Sequence, residues 1–574
     1  MELNLITTIK NKILQLFDEK PLDAENRITV EAPKNKDHGD FATNAALVLS
    51  KQLKKSPRDI AEFIKTQLSQ DAIFSKIEIA GPGFVNFTLT DLYYQQNLGY
   101  IFDNIDEFGK NNLGQGRKIN IEFGSPNPTG PVHVGHSRSL IFGDSLANLL
   151  EFSGFNVTRE NYFNDAGGQI DVLAKSLYIR YTEILESRII PIPDGLYPGS
   201  YLIDIAKDLI QDKGNKYLSM DEAEYLPELK IFATTKIKKM ILDSFAELEI
   251  KHDHVVSELD LHKHDKISEA ANYLNELGLT YTGTLTKPKG KSNEDTEAQT
   301  EIPKLLFKSK DFGDDSDRSL QKSDGSWTYF AADIAYHKDK VDRGFDELIL
   351  VLGADHGGYT KRITAAVKAL SGSKVECTTI LCQIVNFLKD GKPLKMSKRA
   401  GNYITMEDVA EQIGGDVLRL LMLSRRNDTI FDFDLKKALE QTKDNPVFYI
   451  QYAHARICSV LRNLDLDLTK LDSTNLKYLT DKSECDIIKK ISHFPQVITI
   501  ATKNHEPHLL PTYIYELAGL FHSYWNLGKN RSELRLIHDD PKVTESRVIL
   551  LLVIKDIIAK VLTLFSIKAL DIME

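Results

Sequence analysis

A pattern of buried strand, turn, helix and second strand occurs twice in this chain, and it restricts the fold more than any other feature. The first copy combines "RKINIEF" at 117–123, the loop "GSPNPTGP", a helix with apolar residues at helical spacing, and "NVTRENYF" at 156–163. Such a unit packs its helix on the face of a parallel sheet. We therefore predict an α/β fold with a doubly wound, Rossmann-like parallel sheet.

The second copy comprises "FDELILVLG" at 345–353, the turn "ADHGG", a helix, and a strand predicted at 378–388. Helical patterns fill much of the chain between the two copies, which predicts a sheet interrupted by a largely helical insertion at about 175–280. Segment 287–303 has no apolar periodicity and is rich in Lys, Glu, Ser and Thr. This composition predicts a mobile surface loop.

A chain of 574 residues is too long for one hydrophobic core. The N-terminal part begins with an amphipathic helix and continues with β-branched and aromatic residues around a Gly-Pro-Gly turn at 81–83, which predicts an α+β domain. From about 405 the patterns are helical almost to the end, which predicts an all-helical C-terminal domain. The predicted domains are 1–112, 113–435 and 436–574.

Composition excludes several classes of protein. The longest late apolar run, Val548 to Ile554, is seven residues long, too short to span a membrane. The four cysteines form no CxxC pair, which suits a reducing cytoplasm and argues against a cysteine-type zinc site. The net charge of −10 alone counts against nucleic-acid binding, although residues 441–574 contain 17 Lys and Arg against 16 Asp and Glu.

"PVHVGHSRS" at 131–139 is the first candidate for chemistry, with His133 and His136 on either side of Gly135. At the start of a helix that follows a strand, free N–H groups and the helix dipole attract phosphate, and a glycine allows a flat purine to lie against the backbone. The histidine pair could also bind a metal, but no third ligand of the HExxH kind lies nearby. It could equally be incidental to a helix start. The spacing favours ATP over zinc.

"DGKPLKMSKRAGN" at 390–402 places Lys395 and Lys398 in a loop directly after a predicted strand. Lysine ammonium groups on flexible stems can follow a triphosphate as it breaks. A single lysine-rich loop is more simply a solvated turn. Because one half of the divided sheet carries the histidine pair and the other half the lysine pair, the sequence favours an ATP clamp over that simpler interpretation.

Several stretches resemble known signatures. "HVGH" and "KMSK" resemble the two signatures of class I aminoacyl-tRNA synthetases, and the surrounding sequence resembles the bacterial-type arginyl-tRNA synthetase family. The stretches that carry the second resemblance are 122–139, 161–171, 323–340, 352–362 and 395–405. Residues 36–51 and 80–89 resemble that family's additional N-terminal domain, and 445–462 resemble the opening of its helical anticodon-binding domain.

The resemblance implies a ligase that activates arginine with ATP to arginyl-adenylate and transfers arginine to the 3′-terminal adenosine of its tRNA, releasing AMP and pyrophosphate. It implies that the catalytic residues are His133, His136, Lys395 and Lys398. It implies that Gly135, Gly353, Asp355, Met396 and Ser397 also contact ATP. It implies that Glu122, Tyr329 and Asp333 hold the guanidinium of arginine, and that Ser125 and Asn127 hold its amino and carboxylate end. Each residue also has an ordinary interpretation, as a strand-edge charge, a turn former, a packed aromatic or a solvated helix residue.

The resemblance also implies the partners. ATP enters with Mg²⁺ as a substrate, and we expect no permanently bound cofactor, no metal held by the protein, a monomer and a cytoplasmic location. The N-terminal and C-terminal domains are expected on either side of the catalytic domain, where Tyr449 and Tyr452 either stack on tRNA bases or pack within a helical core. Two alternatives are a nucleotidyltransferase that acts without tRNA and a related protein that only binds tRNA.

Overall fold

The computed structural model describes residues 4–17, 27–33, 35–284, 303–389, 391–393, 404–440, 442 and 445–573. The α-helices α1 to α20 are Leu5–Leu14, Ala45–Leu53, Pro57–Leu68, Asp91–Asp103, Ser137–Phe152, Gly168–Leu185, Tyr201–Lys213, Glu222–Glu247, Glu258–Lys263, Lys266–Glu276, Tyr329–Asp342, Thr360–Ser371, Met406–Ile413, Gly415–Leu423, Leu435–Ala438, Pro446–Arg462, Lys482–Ser492, Phe494–Asn504, Leu509–Asn530 and Pro541–Leu564. The strands β1 to β15 are Val30–Glu31, Phe41–Thr43, Phe74–Ala80, Phe84–Leu89, Lys118–Glu122, Asn156–Phe163, His254–Ser257, Thr280–Gly283, Lys304–Phe307, Arg318–Ser319, Glu347–Gly353, Glu376–Cys382, Val385–Lys389, Lys392–Pro393 and Phe431–Asp434.

The chain forms two compact units. The first contains 1–111, 442–563 and 568–574, and the second contains 112–441 and 564–567. Among the helices in the described ranges, none combines the length and the apolar character needed to cross a bilayer.

The second unit is built on a parallel sheet in the order β12-β11-β5-β6-β7. The predicted doubly wound parallel sheet is therefore confirmed. The chain adds β6 and β7 on one side of β5, and β11 and β12 on the other. The order reverses between β5 and β11, so the crevice outside their carboxyl ends is where a ligand of such a sheet binds.

Two strands lie where the sequence predicts only helices. His254–Ser257 falls within the predicted helical insertion and extends the parallel sheet beside β6. Phe431–Asp434 falls in the predicted helical C-terminal part and pairs in parallel with β13. Each strand is four residues long, which is too short for alternating polarity to be distinguished from a helical pattern.

The strand predicted at 378–388 is wrong as a single element, because β12 and β13 belong to different sheets and the chain leaves the ladder at Gln383. Arg138 of α5 binds the chain at the break, where the partner strand β11 also ends, with Gly353 opposite Cys382. Its guanidinium is buried and donates to the carbonyl oxygens of Gln383 at 3.2 Å and Thr429 at 2.5 Å. Asn427 adds a hydrogen bond to Leu381 O at 2.9 Å. These side chains satisfy backbone groups that a continuous ladder would otherwise pair.

Helix α5 lies against the end of β5 because Gly143 leaves room for a buried phenylalanine. A Cβ atom built on Gly143 would lie 2.4 Å from Cβ and 2.3 Å from Cγ of Phe123. Phe123 is fully buried directly after β5. The close approach therefore fixes the helix that follows the "HVGH" turn against the central strand.

In the first unit, β1 to β4 form an antiparallel sheet in the order β1-β2-β4-β3, and the strands predicted around the Gly-Pro-Gly turn are confirmed as β3 and β4. The predicted helical C-terminal domain is also confirmed, from α16 through α20.

The N-terminal and C-terminal segments both belong to the first unit and pack on one another. Their position on either side of the catalytic domain stays a prediction. Gln95 of α4 donates to Leu479 O at 2.9 Å, and Lys489 of α17 pairs with Asp40 at 3.1 Å.

Replacing Gly143 with alanine tests the packing of α5. The added methyl group overlaps Phe123 within a packed interior, so Gly143→Ala is expected to lower the free energy of unfolding by about 1–3 kcal/mol despite the better helix propensity of alanine. Circular dichroism in increasing urea measures the change. The matched control is Gly168→Ala at the first residue of α6, where a Cβ meets no atom within 4 Å. Equal midpoints for both variants would contradict the proposed packing constraint.

Candidate active site

The candidate active site lies at the carboxyl ends of the two central strands of the second unit. β5 ends at Glu122 and β11 continues past it to Gly353, with Leu350 paired opposite Glu122. The loop after β5 leads into a short 3₁₀ turn, Val134–His136, and then into α5. The "HVGH" stretch therefore begins a helix directly after a strand, as predicted.

His133 folds back on its own turn. Its Nδ1 accepts a hydrogen bond from Gly135 N at 3.0 Å, so the neutral ring carries its proton on Nε2, which is a donor. A Cβ on Gly135 would lie 2.7 Å from Cε1 of His133. The imidazole of His133 thus lies against Gly135 in this structure, and contact between a purine and this glycine stays a prediction.

His136 completes the turn. It precedes the first residue of α5, and its ring lies 3.9 Å from that of His133, centroid to centroid, with a 36° tilt. Both half-buried rings thus lie at the N-terminal end of a 16-residue helix. The positive end of the helix dipole and two ring N–H groups favour an anion at this position.

Lys395, Met396, Ser397 and Lys398 lie outside the described residues, as does segment 287–302. The chain is described again from 404, six residues after Lys398, and there it returns to the histidine turn. Val134 N donates to Ile404 O at 3.1 Å, and Met406 N donates to Val132 O at 3.0 Å. The backbone that follows the "KMSK" stretch is therefore paired with the backbone on both sides of His133.

Gly353 and Asp355 lie at the end of β11. The Oδ1 atom of Asp355 would lie 2.5 Å from a Cβ built on Gly353, so this oxygen lies against the glycine. Most of the Asp355 side chain is exposed to solvent. Both residues thus lie at the same edge of the sheet as Glu122.

Glu122 belongs to a buried network of four charges. Glu122 and Glu160 are neighbours in register on β5 and β6. Lys340 Nζ, fully buried, lies 2.6 Å from Glu122 Oε2 and 3.8 Å from Glu160 Oε1, and Arg343 donates to Glu160 Oε2 at 2.6 Å. Burial would raise the pKa of Glu160, but the charges of Lys340 and Arg343 outweigh it and lower that pKa. Two carboxylates and two cations therefore balance.

Asp333, which lies two helical turns before Lys340 on α11, has no such cation. Burial, together with the negative charges of Glu258 and Glu122, raises the pKa of its carboxyl to about 7, although a hydrogen bond from the hydroxyl of Tyr359 and the more distant charge of Lys340 both act to lower it. Within the described ranges, neither lysine nor arginine forms an ion pair with Asp333. The site thus has negative charge that its own residues leave largely uncompensated.

Glu258 is a second carboxylate with a raised pKa, and His262 Nε2 lies 3.7 Å from its Oε1. It is buried at the start of α9, accepts a hydrogen bond from Tyr162 at 3.0 Å, and has a pKa raised by burial. Three residues of the site were not predicted from the sequence, namely Glu258, Tyr359 and Lys340. Tyr359 and Lys340 lie inside stretches that carry the family resemblance and could have been noticed there, whereas Glu258 lies in the insertion and shows no signal.

The remaining predicted arginine ligands surround these carboxylates. Ser125 Oγ lies 3.4 Å from Glu122 Oε1 and accepts from Tyr162 N at 3.1 Å. Tyr329 begins α11, is 62% exposed, and its hydroxyl would lie 3.3 Å from a Cβ on Gly167. Asn127 is exposed in the loop after β5. The structure thus brings Glu122 and Ser125 into contact, and places Tyr329 and Asp333 one turn apart on α11.

Tyr449 and Tyr452 lie on α16 of the first unit. Tyr449 is half-buried, with its ring 4.5 Å from that of His522. Tyr452 is 36% exposed, stacks on Phe448 at 5.4 Å, and carries the guanidinium of Arg456 at 4.3 Å above its ring. A partly exposed aromatic ring beside an arginine is a surface on which bases can stack, so Tyr452 fits the first interpretation better than Tyr449 does.

Four family models match consecutive parts of the chain. They are the arginyl tRNA synthetase N terminal domain at 3–89, the class I (R) catalytic domain at 101–225, the class I (I, L, M and V) tRNA synthetases at 304–435, and the DALR anticodon binding domain at 450–573.

Whole-chain relatives agree with these models. Arginine–tRNA ligase of Roseobacter denitrificans is 45% identical over 96% of both chains, and that of Brucella anthropi is 46% identical over 97% of both. The arginyl-tRNA synthetase of Thermus thermophilus shares the fold, with a TM-score of 0.75 at 19% identity over 99% of this chain and 100% of that one. With its class I sheet, its N-terminal domain and its helical C-terminal domain, the chain belongs to the arginine–tRNA ligase family.

Proposed function

We propose that this chain activates arginine with ATP and transfers the arginyl group to the 3′-terminal adenosine of its tRNA. The observation that carries the proposal is the position of Asp333, a buried carboxylate without a cationic partner in the described chain, in the unit that also carries the phosphate-directed turn at His133. One part of this site suits a triphosphate and the other suits an organic cation. Membership of the family, whose members use ATP as a substrate, supports both assignments.

In the first step the carboxylate of arginine attacks the α-phosphate of ATP, and pyrophosphate leaves. His133 donates from Nε2 and His136 acts beside it, so both stabilise negative charge that develops on the phosphates. Lys395 and Lys398 follow the triphosphate from the opposite side, and Gly135, Gly353, Asp355, Met396 and Ser397 complete the ATP site. Mg²⁺ arrives with ATP, largely coordinated by water and phosphate oxygens, and we propose no permanently bound cofactor in the reaction.

The guanidinium of arginine binds Asp333 with help from Tyr329, while Glu122 contributes through the oxygen that Lys340 does not occupy. Ser125 and Asn127 hold the amino and carboxylate end. Because the charge of Glu122 is already balanced by Lys340, the uncompensated charge of Asp333 gives most of the attraction. A smaller or neutral amino acid would leave this carboxylate buried and unpaired, so selectivity arises without a separate editing step.

In the second step the hydroxyl of the terminal adenosine attacks the activated arginine, and AMP leaves. We propose that the N-terminal domain and the helical C-terminal domain bind the tRNA, with Tyr452 and, less exposed, Tyr449 stacking on bases. We propose a cytoplasmic location, which a tRNA substrate and four free cysteines support. We propose that it acts as a monomer.

Exchange of labelled pyrophosphate into ATP, run with each amino acid in turn and with and without tRNA, tests the first step. Exchange is expected with arginine alone among the amino acids. Loss of a group that stabilises transition-state charge lowers a reaction rate roughly 100-fold or more. The exchange rates of His136→Ala and Lys398→Ala should each be lower than the wild-type rate by about that factor.

The matched controls are His264→Ala and Lys239→Ala, which change exposed residues of the second unit outside the proposed site. Both are expected to keep wild-type exchange. Exchange with a different amino acid, or arginine exchange that survives both site substitutions, would overturn the proposal. Pyrophosphate exchange with no transfer of the activated group to tRNA would favour a nucleotidyltransferase. Binding of tRNA without pyrophosphate exchange would favour a protein that only binds tRNA.

The pKa of Asp333 predicts how arginine binding depends on pH. The carboxylate loses its charge as the pH falls through about 7, whereas the guanidinium of arginine stays charged. The KM for arginine should therefore be low at pH 8 and rise below pH 7 by up to roughly tenfold per pH unit. Aminoacylation at saturating ATP and tRNA measures this profile.

Tyr359→Phe provides the control, because the hydrogen bond from Tyr359 lowers the pKa of Asp333. Without this bond the rise in KM is expected to begin at a higher pH. Asp333→Asn should bind arginine weakly at every pH and show no such rise. A wild-type profile that is flat between pH 6 and 8, or unchanged by Tyr359→Phe, would exclude Asp333 as the group that controls arginine binding.

A further inference from the structure

Three side chains of the first unit bring metal-binding atoms together, remote in sequence from the proposed active-site residues. His454 and Cys458 lie one turn apart on α16, and Asp571 follows α20 near the end of the described chain. Their Nδ1, Sγ and carboxylate oxygen atoms lie within 4.8 Å of one another. His454 and Cys458 are buried, whereas Asp571 is exposed and closes the cluster from the solvent side.

The distances between the three donor atoms are close to those around a zinc ion. Sγ of Cys458 lies 3.7 Å from Nδ1 of His454 and 3.4 Å from Oδ1 of Asp571, and the last two atoms are 4.0 Å apart. Tetrahedral Zn²⁺ with ordinary bond lengths separates such donors by roughly 3.3–3.6 Å. The two distances from sulfur are within about 0.2 Å of the expected values, whereas the distance from nitrogen to oxygen must shorten by about 0.7 Å. The exposed side chain of Asp571 can make this shift, which completes three corners of a tetrahedron, with water at the fourth.

We propose that His454, Cys458 and Asp571 form a Zn²⁺ site. A thiolate, an imidazole and a carboxylate together suit Zn²⁺, whereas Mg²⁺ and Ca²⁺ prefer oxygen ligands alone. The thiol of Cys458 donates a hydrogen bond to Asp571 in the structure, and the ion replaces this thiol proton. That proton is released to solvent, and the proton of His454 moves from Nδ1 to Nε2, so the ring gives up its hydrogen bond to Leu570 O.

The electrostatic surroundings allow this exchange. Burial and the neighbouring carboxylate of Asp571 together raise the pKa of the Cys458 thiol to about 11, while Lys555 and Arg462 act in the opposite direction. Without metal the thiol stays protonated at neutral pH. A doubly charged ion between the sulfur and the carboxylate removes the repulsion that disfavours the thiolate, as thiolate coordination requires.

The site joins two segments that already run side by side. Gln451 of α16 donates to Lys568 O at 2.7 Å and accepts from Leu570 N at 2.9 Å, and Arg462 donates to Asp571 O at 3.1 Å. Zn²⁺ would add a stronger link in the middle of this row of hydrogen bonds. It would therefore fix segment 568–571 along α16, the helix that also carries Tyr452.

Zinc and cobalt binding to the full-length protein tests the proposal. After dialysis against Zn²⁺ and removal of free metal, elemental analysis is expected to find one zinc per wild-type chain. Co²⁺ at the same site should give the near-ultraviolet absorption band of a thiolate bound to cobalt. Zn²⁺, but not Mg²⁺, should raise the unfolding temperature, because an ion bound only by the folded state stabilises it.

Cys458→Ser should lose the cobalt band and the bound zinc, while the matched control Cys485→Ser, in α17 of the same unit, should keep both. Asp571→Asn alters an exposed residue, so this variant should stay folded. Its zinc affinity should be lower than that of the wild type by at least roughly tenfold, because even groups that only orient a metal ligand cost that much when they are removed. Absence of zinc and of the cobalt band in the wild type would overturn the proposal. Bound zinc and a cobalt band that persist in Cys458→Ser would also overturn it. If Cys458→Ser does not fold, the same result in Asp571→Asn would overturn it.

Discussion

Two buried glutamates side by side on adjacent parallel strands are the constraint on which the second unit depends. Glu122 and Glu160 are in register on β5 and β6, and like charges at such positions repel one another. The strands can pair there only because Lys340 lies close to both carboxylates and Arg343 closes the network beyond. Breaking a buried pair leaves a charge without compensation, so helix α11, which carries Lys340 and is followed directly by Arg343, is held firmly against the sheet.

The same anchoring positions the groups that face a substrate. Asp333 and Tyr329 lie on α11 two and three turns before Lys340, so the ion pairs at one end of the helix determine where these side chains lie. A buried carboxylate with a raised pKa costs folding free energy, and such costs concentrate at functional sites. The balanced network around Glu122 and the unbalanced charge of Asp333 therefore have different roles, the first in structure and the second in attracting a cation.

Much of this arrangement could be predicted from the sequence, and the failures have specific causes. The strands β5, β6 and β11 and the helix after "HVGH" have clear periodicity, so their existence and order were predictable. The end of β12 was not, because Arg138, more than 200 residues earlier, takes the carbonyl group of Gln383. Glu258 was missed for a similar reason, since it reaches Tyr162 only through the fold of the insertion.

The sequence by itself determined the parallel sheet, the helical C-terminal part, the family and the residue types of the proposed site, because local periodicity and short motifs depend on neighbours in the chain. Only the tertiary structure decided that the N-terminal and C-terminal segments share one unit, that Lys340 pairs with Glu122 while Asp333 has a raised pKa, and that Asp571 meets His454 and Cys458. These features rest on contacts between residues far apart in sequence. Charge compensation and metal-ligand geometry depend on distances in space, which residue spacing alone does not specify.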